Sequence, residues 1–373
     1  MRKLTPKELE IGMIIVEQVK TPLGQILAAP GTEITRQLIN RMKLYKVEYA
    51  VVEGDNPVSE AQPKETVEAV PVSTPKTYAE SSKTHSQKVA ASDEFRDFQL
   101  KYFVAIDEMK STFNSVATTG SVDTQPLLLA VSELFTARAT IVELFDMLFN
   151  MRTLTDPLYA HSLNVGLVSR MIGRWLKLDR HDLNTLTLAG LFHDIGKIRI
   201  PDEILNKPDK LTDEEFTLIK SHPKLGYELL KNLPLDPHIK KAALMHHERC
   251  DGSGYPSGIE EEFIDEYAMI VGIADVYDAM TAARSYRAPL CPFQVIANFE
   301  DEGYQKYNTK YILTFLRQIA STYQSNRVIL NDGRGCNIIL LNQNALSKPM
   351  VQLDDGSVID LNTNRDLYIK SVL

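Results

Sequence analysis

His193-Asp194-Ile195-Gly196-Lys197 closes an apolar run, and His246-His247-Glu248-Arg249-Cys250-Asp251-Gly252-Ser253-Gly254-Tyr255-Pro256 follows downstream. Around both stretches apolar residues recur at intervals of three and four, the period of a helix with one buried face. The pattern predicts helices over Asp182 to His193, Thr212 to Ser221, Pro223 to Asn232, Pro237 to His246, Glu266 to Ala283, Cys291 to Phe299 and Lys310 to Tyr323. Upstream, Pro126 to Asn150 is apolar on most faces, and a segment opening on Asp156-Pro157, an N-cap and N1 pair, runs through His161 to Trp175. Phe95, Phe98, Tyr102, Ala105 and Met109 form an earlier stripe that admits two readings, a helix-mediated homodimer or packing inside the helical region.

Both flanks of the helical region differ from it. From Leu4 to about Glu53, short β-rich runs (Met13 to Val16, Gln25 to Ala28, Val47 to Val52) surround a helix-like Thr35 to Leu44, with Pro30-Gly31 turning the chain and Thr32 or Thr35 available as a cap. Gly54 to about Ala91 is rich in Pro, Ser, Thr, Lys and Glu and too poor in large apolar residues to offset the entropy of ordering it, so it reads as a linker. Beyond Asn326 come short strands, Val328 to Leu330, Ile338 to Leu341, Met350 to Leu353, Val358 to Leu361 and Leu367 to Ile369, with turns at Asp332-Gly333 and Asp354-Asp355-Gly356. The expected division is a small N-terminal regulatory or interaction module over 1–54, a flexible linker over 55–92, a helical domain over 93–325 and a small β appendage over 326–373.

Bulk composition narrows the function. A hydrophobic fraction of 44% with 24% charged residues is that of an ordinary globular chain. The net charge of −8 argues against a protein that tracks a DNA or RNA polymer by bulk electrostatics. An anionic substrate would need local positive charge, such as metal ions. Three cysteines, Cys250, Cys291 and Cys336, lack metal-binding spacing and fit free packing thiols in a reducing compartment. With no signal-peptide pattern and no apolar run long enough to span a bilayer, a cytoplasmic location is expected.

The histidines carry the chemistry. Imidazole nitrogen together with carboxylate oxygen suits borderline transition metals, iron, manganese, nickel, cobalt or zinc, better than magnesium or calcium. A lone histidine on an apolar helix is more often a satisfied core residue than a ligand, and His85, His181 and His238 are read that way. Gly252 and Gly254 let the downstream loop turn where a side chain would clash, with Tyr255 and Pro256 at its tip. Lys197 lies one helical turn from His193, where it could reach a phosphate oxygen or serve as a cation at a helix end.

The two motifs together, His-Asp-x-Gly-Lys and His-His-Glu-x-x-Asp-Gly-x-Gly-Tyr-Pro, resemble those of the HD-GYP family, HD-superfamily hydrolases of cyclic dinucleotides in bacteria. The match covers roughly Asp156 to Arg287. The resemblance implies a mainly α, HD-type helical bundle, here with a small N-terminal α/β module and a small C-terminal β appendage. It also implies two divalent transition metal ions, iron or manganese first. One would be held by His161, His193, Asp194 and Asp275, the other by His222, His246 and His247, with the Asp194 carboxylate bridging. The implied reaction is hydrolysis of cyclic di-GMP, ending at linear pGpG or going onward to GMP, with a metal-bound hydroxide attacking the phosphate. Asp194 and Lys197 would serve catalysis, and Lys197, Arg284 and Arg287 would grip substrate phosphates. Asp278 would either support the metal face or touch a guanine edge. The loop of Asp251, Gly252, Gly254, Tyr255 and Pro256 would shape the site and contact cyclase-type (GGDEF) partners.

Two departures from the family pattern matter. Some members bind a third metal through a glutamate one helical turn before the first histidine, but Pro157 stands there and cannot ligate, so two metals are expected. Ala283 and Ser285 stand where an aspartate and a proline are frequent, which bears on substrate grip. Two other functions compete with the first: a module that senses the dinucleotide or a cyclase with little turnover, and a hydrolase of cyclic GMP-AMP or another nucleotide phosphate.

Overall fold

The computed structural model describes residues 2–20, 26–35, 38–39, 42, 47, 49–53, 89, 92–136, 141–151, 157–207, 209–282, 290–324 and 326–373. The chain divides into two compact units, Met1–Lys76 and Thr77–Leu373. Most of the expected linker, with Asp156, Arg284 and Arg287, lies outside the described residues.

In the first unit, strand β1 (Arg2–Leu4) pairs antiparallel with β4 (Ala50–Val52), and β2 (Val19–Lys20) with β3 (Ile26–Ala28). Leu38, Ile39 and Met42 are helical, and the Thr35 hydroxyl accepts a hydrogen bond from Leu38 N at 3.2 Å, as a helix cap does. Ile15, Ile34, Met42 and Val52 close a small core of their own.

The second unit is mainly helical. Its first helix, α1 (Asp93–Thr119), starts at Ser92, whose hydroxyl accepts from Phe95 N, and ends at Gly120 in the left-handed conformation. The stripe of Phe95, Phe98, Tyr102, Ala105 and Met109 is buried in the unit's own core, so it offers no free face to a second copy and packing is the reading that holds. The apolar stretch from Pro126 to Asn150 falls within α2 (Gln125–Thr136) and α3 (Ile141–Met151), residues 137–140 lying outside the described residues. Then come α4 (Pro157–Trp175), α5 (Arg180–Phe192), a 3-10 turn (Ile195–Arg199), α6 (Asp202–Leu205), α7 (Asp213–Ile219), α8 (His222–Leu230), α9 (Pro237–Met245), α10 (Glu266–Thr281), α11 (Pro292–Lys306) and α12 (Thr309–Thr322). Acceptors at their N-termini fix several starts: Asp179 for α5, Thr212 for α7, Asp236 for α9 and Asp265 for α10. Helix α11 runs on past Phe299, because Phe299 and Gly303 continue its buried face.

Strands β5 (Arg327–Leu330), β6 (Gly335–Leu340), β7 (Met350–Leu353), β8 (Val358–Asp360) and β9 (Ile369–Val372) form one antiparallel sheet in the order β8-β7-β6-β5-β9. Its buried residues Val328, Leu330, Cys336, Val351 and Ile369 belong to the same core as the helices. Glu300 on α11 accepts from Leu346 N at 2.6 Å, tying the sheet's connecting loop to the bundle.

Candidate metal centre

Five segments converge on one cluster of side chains. Helix α4 brings His161, the exit of α5 brings His193 and Asp194, α8 opens on His222, the exit of α9 brings His246 and His247, and α10 carries Asp275. Close backbone approach sets this convergence. A methyl group on Gly196 would overlap the His222 carbonyl oxygen, so only glycine lets the 3-10 turn press onto α8 and bring Asp194 beside His222.

All seven residues expected as ligands meet here. His161, His193 and Asp275 form one set of donor atoms, His193, Asp194 and His246 a second, and His222, His246 and His247 a third, each within 4.8 Å of one another. Asp194 stands between them. Its Oδ2 lies 3.5 Å from His161 Nε2 and 3.3 Å from His193 Nε2, while its Oδ1 lies 3.1 Å from His222 Nε2 and 3.8 Å from His246 Nε2. Asp275 spans the same gap more loosely, with Oδ1 3.1 Å from His161 Nε2 and Oδ2 3.6 Å from His247 Nδ1.

The hydrogen bonds behind these rings define which nitrogens face inward as acceptors. His193 Nδ1 donates to Gly190 O at 2.7 Å, His222 Nδ1 to Ile219 O at 2.7 Å and His246 Nδ1 to Ala242 O at 3.0 Å. A carbonyl only accepts, so the proton sits on Nδ1 and a neutral ring turns a bare lone pair inward from Nε2. The Nε2 atoms of His222 and His246 face each other across 3.2 Å. His193 Nε2 and Asp194 Oδ1 are buried and without hydrogen-bond partners. Converging lone pairs beside a buried carboxylate oxygen are the donor set of a divalent metal, and His161 Nδ1 donating to Asp278 at 2.8 Å is the carboxylate-to-histidine support common behind metal ligands.

Electrostatics agree. Burial drives His246 well below its usual range, reinforced by neighbouring imidazoles, and takes His247 down to about 3 despite the opposing charge of Asp275. Burial works against ionisation of Asp194 and Asp275, but adjacent imidazoles, and for Asp194 the Lys197 ammonium, hold both carboxyls well below theirs. His161 goes the other way: burial opposes its protonation, yet hydrogen bonds to Asp275 and Asp278 raise it to about 9. Its Nε2 lone pair can take a proton or a metal, not both.

Access is through the more exposed ligands, since the His161 and His247 side chains are 20% and 17% exposed and His193 and His246 are sealed. Lys197 ion-pairs with Asp194 at the rim. The Tyr255 ring stacks on His247 with centroids 4.5 Å apart, and the Lys220 ammonium lies 4.5 Å from the same ring's centroid. Asp251 and Gly252 turn this loop, and Tyr255-Pro256 is a cis peptide. Gly254 packs so closely that a methyl group there would overlap the Glu248 backbone.

Of the two roles expected for Asp278, support of the metal face is the one its position fits. Asp278 is 3% exposed and gives its oxygens to His161 Nδ1 and Asn164 Nδ2, so it stands behind His161 and is sealed from a guanine edge. Three residues had escaped assignment: Asn164, Glu248 and Lys220. Asn164 lies one helical turn beyond His161, a spacing that could have flagged it. His238 is hydrogen-bonded to Asp265 at 2.9 Å, apart from the cluster, and the three cysteines are free.

A model of the HD domain matches residues 133–310, the region that carries this cluster. That stretch is an HD domain. A cyclic di-GMP phosphodiesterase of Pseudomonas aeruginosa is 35% identical over 201 residues, 54% of this chain and 49% of the relative. One from Thermotoga maritima is 34% identical over 192 residues, 50% of this chain and 52% of the relative. A 3'3'-cGAMP-specific phosphodiesterase of Vibrio cholerae is 39% identical over 132 residues, 35% of this chain and 31% of the relative. The chain thus spans about half the length of the first two curated relatives. No described helix is long and apolar enough to cross a membrane.

Proposed function

We propose that the HD domain hydrolyses a cyclic dinucleotide, cyclic di-GMP, to linear pGpG and onward to GMP, at a two-metal centre of the HD-GYP type. The observation that carries this reading is Asp194, whose two oxygens face two different groups of histidines. His161, His193, Asp194 and Asp275 would hold one ion, and His222, His246 and His247 the other. The donor set favours iron or manganese, then nickel, cobalt or zinc. Bound there, divalent metals supply Lewis acidity toward a phosphate and make a bound water acidic.

The chain's own residues account for the rest. Backbone-anchored imidazoles keep their Nε2 atoms aimed inward, and Asp278 orients His161. Lys197, at the rim beside Asp194, is positioned to receive a phosphate oxygen. Arg284 and Arg287 are assigned to phosphate binding from their motif alone. The loop from Asp251 to Pro256 walls the His247 side and is the surface proposed for GGDEF partners. A regulatory role for 1–54 and a cytoplasmic location complete the proposal.

A second substrate has support of its own, because some relatives are named for 3'3'-cGAMP. Metal ligands recognise phosphate and not the base, so both dinucleotides enter the test. Protein prepared anaerobically is assayed for metal and then incubated with each one, with His193→Ala and Asp194→Ala as controls. Two metals per chain and a linear product lost in both variants are expected. Bound metal and tight dinucleotide binding without product, under every metal tried, would overturn the enzyme reading in favour of a sensor.

A further inference from the structure

A continuous buried relay runs from helix α1 to the first histidine of the metal centre. Tyr102 and Asn164 are fully buried and Asp278 is 3% exposed. The Tyr102 hydroxyl donates to Asn164 Oδ1 at 2.7 Å, Asn164 Nδ2 donates to Asp278 Oδ1 at 3.0 Å, and His161 Nδ1 donates to Asp278 Oδ2 at 2.8 Å. The hydroxyl has a second acceptor in Ala160 O, farther away at 3.2 Å.

The direction of each bond is fixed by chemistry. Asp278 only accepts when ionised, so both its neighbours must turn N–H groups toward it. Asn164 meets that demand only with its amide nitrogen toward Asp278, which leaves its oxygen toward Tyr102. Turned over, the carboxamide would set its oxygen against a carboxylate with no proton between them. Asp278 therefore selects the orientation of Asn164, the Tyr102 hydroxyl pins the carboxamide there by donating to the oxygen so presented, and Asp278 holds the tautomer and tilt of His161.

From this we infer that Tyr102 is a positioning residue for the metal centre, acting through Asn164 and Asp278 on His161. Tyr102 lies before residue 133, outside the part of the chain matched as an HD domain. The first helix of the second unit is then part of the centre's support as well as its packing. The inference rests on the reading of His161 as a metal ligand.

The test uses the full chain and Co²⁺ as the probe, with affinity and the visible ligand-field spectrum as readouts beside thermal melting. Asp278→Asn should weaken Co²⁺ binding by about 10- to 100-fold, the usual range for a group behind a ligand. Tyr102→Phe keeps the buried ring and removes one neutral hydrogen bond, so about a three- to tenfold loss with an altered spectrum is expected. Because the two act in series, the double variant should bind no more weakly than Asp278→Asn alone. If Tyr102→Phe lowers the melting temperature and leaves affinity and spectrum at parental values, or if the two losses multiply, the relay is only structural and the inference fails. A parent chain that takes up no Co²⁺ overturns this inference and the proposed function together. One that binds Co²⁺, shows the relay effect and cleaves neither dinucleotide overturns the proposed function alone.

Discussion

A neutral histidine has one lone pair, and the group that takes its proton decides where that lone pair points. Here backbone carbonyls take the protons of His193, His222 and His246, so orientation is built into the helices that carry these residues. Glu248 does a comparable service for the neighbouring loop. It is 5% exposed and accepts from the backbone N–H of Ser257, Gly258 and Ile259 at 2.7, 3.0 and 3.3 Å. Glu248→Ala removes a charged acceptor from three amides at once and should cost about 2–4 kcal/mol, read as a lower urea midpoint. Metal affinity should fall with it, since the loop carries the Tyr255 ring that packs on His247. An unchanged midpoint would show that water replaces the carboxylate without penalty. No sequence signal pointed to this role, because a glutamate inside a metal-binding motif looks the same whether it faces a metal or a loop.

Among the elements, the 3-10 turn Ile195–Arg199 and helix α8 are the pair on which the centre depends most directly. At Gly196 the obstacle to a side chain is backbone, the carbonyl of His222 and the amide of Gly226, and backbone cannot swing aside as a flexible side chain can. Gly196→Ala should therefore destabilise the unit by about 1–3 kcal/mol and separate Asp194 from His222. Denaturation and metal titration of the variant check this; parental values in both would mean that the two segments can slide apart freely. The surrounding helices were legible in the sequence because each buries one face. Pro157–Trp175, Pro237–Met245 and Thr309–Thr322 match their periodicity to within a residue or two at either end. Short pieces were not: Asp202–Leu205 has no buried residue and so leaves no apolar period, and Arg2–Leu4 exists by pairing with Ala50–Val52 far along the chain. The seven converging residues were legible through motif resemblance. Tyr102 read only as one more member of an apolar stripe, since a hydroxyl's partner is a matter of tertiary structure.

Among the described residues each unit has a hydrophobic core of its own, and the cluster belongs to the unit with the larger one. Metal removal should accordingly lower the melting temperature of Thr77–Leu373 and leave the transition of Met1–Lys76 in place. At a free metal concentration a hundred times the dissociation constant, the stabilisation lost to chelation is about 2.7 kcal/mol. Calorimetry with and without chelator checks this, and an equal shift of both transitions would contradict it. The positions of the ligands along the chain have another consequence. His161, His222 and Asp275 come from widely separated segments, and only His193-Asp194 and His246-His247 are neighbours in sequence. Before folding, bringing the full set together costs the closure of several long loops, so the unfolded chain offers an ion little beyond two adjacent pairs. Loading thus follows folding. On the proposed reading, an ion would be selected by a finished cavity of fixed donors, and not by whichever metal first meets the emerging polypeptide.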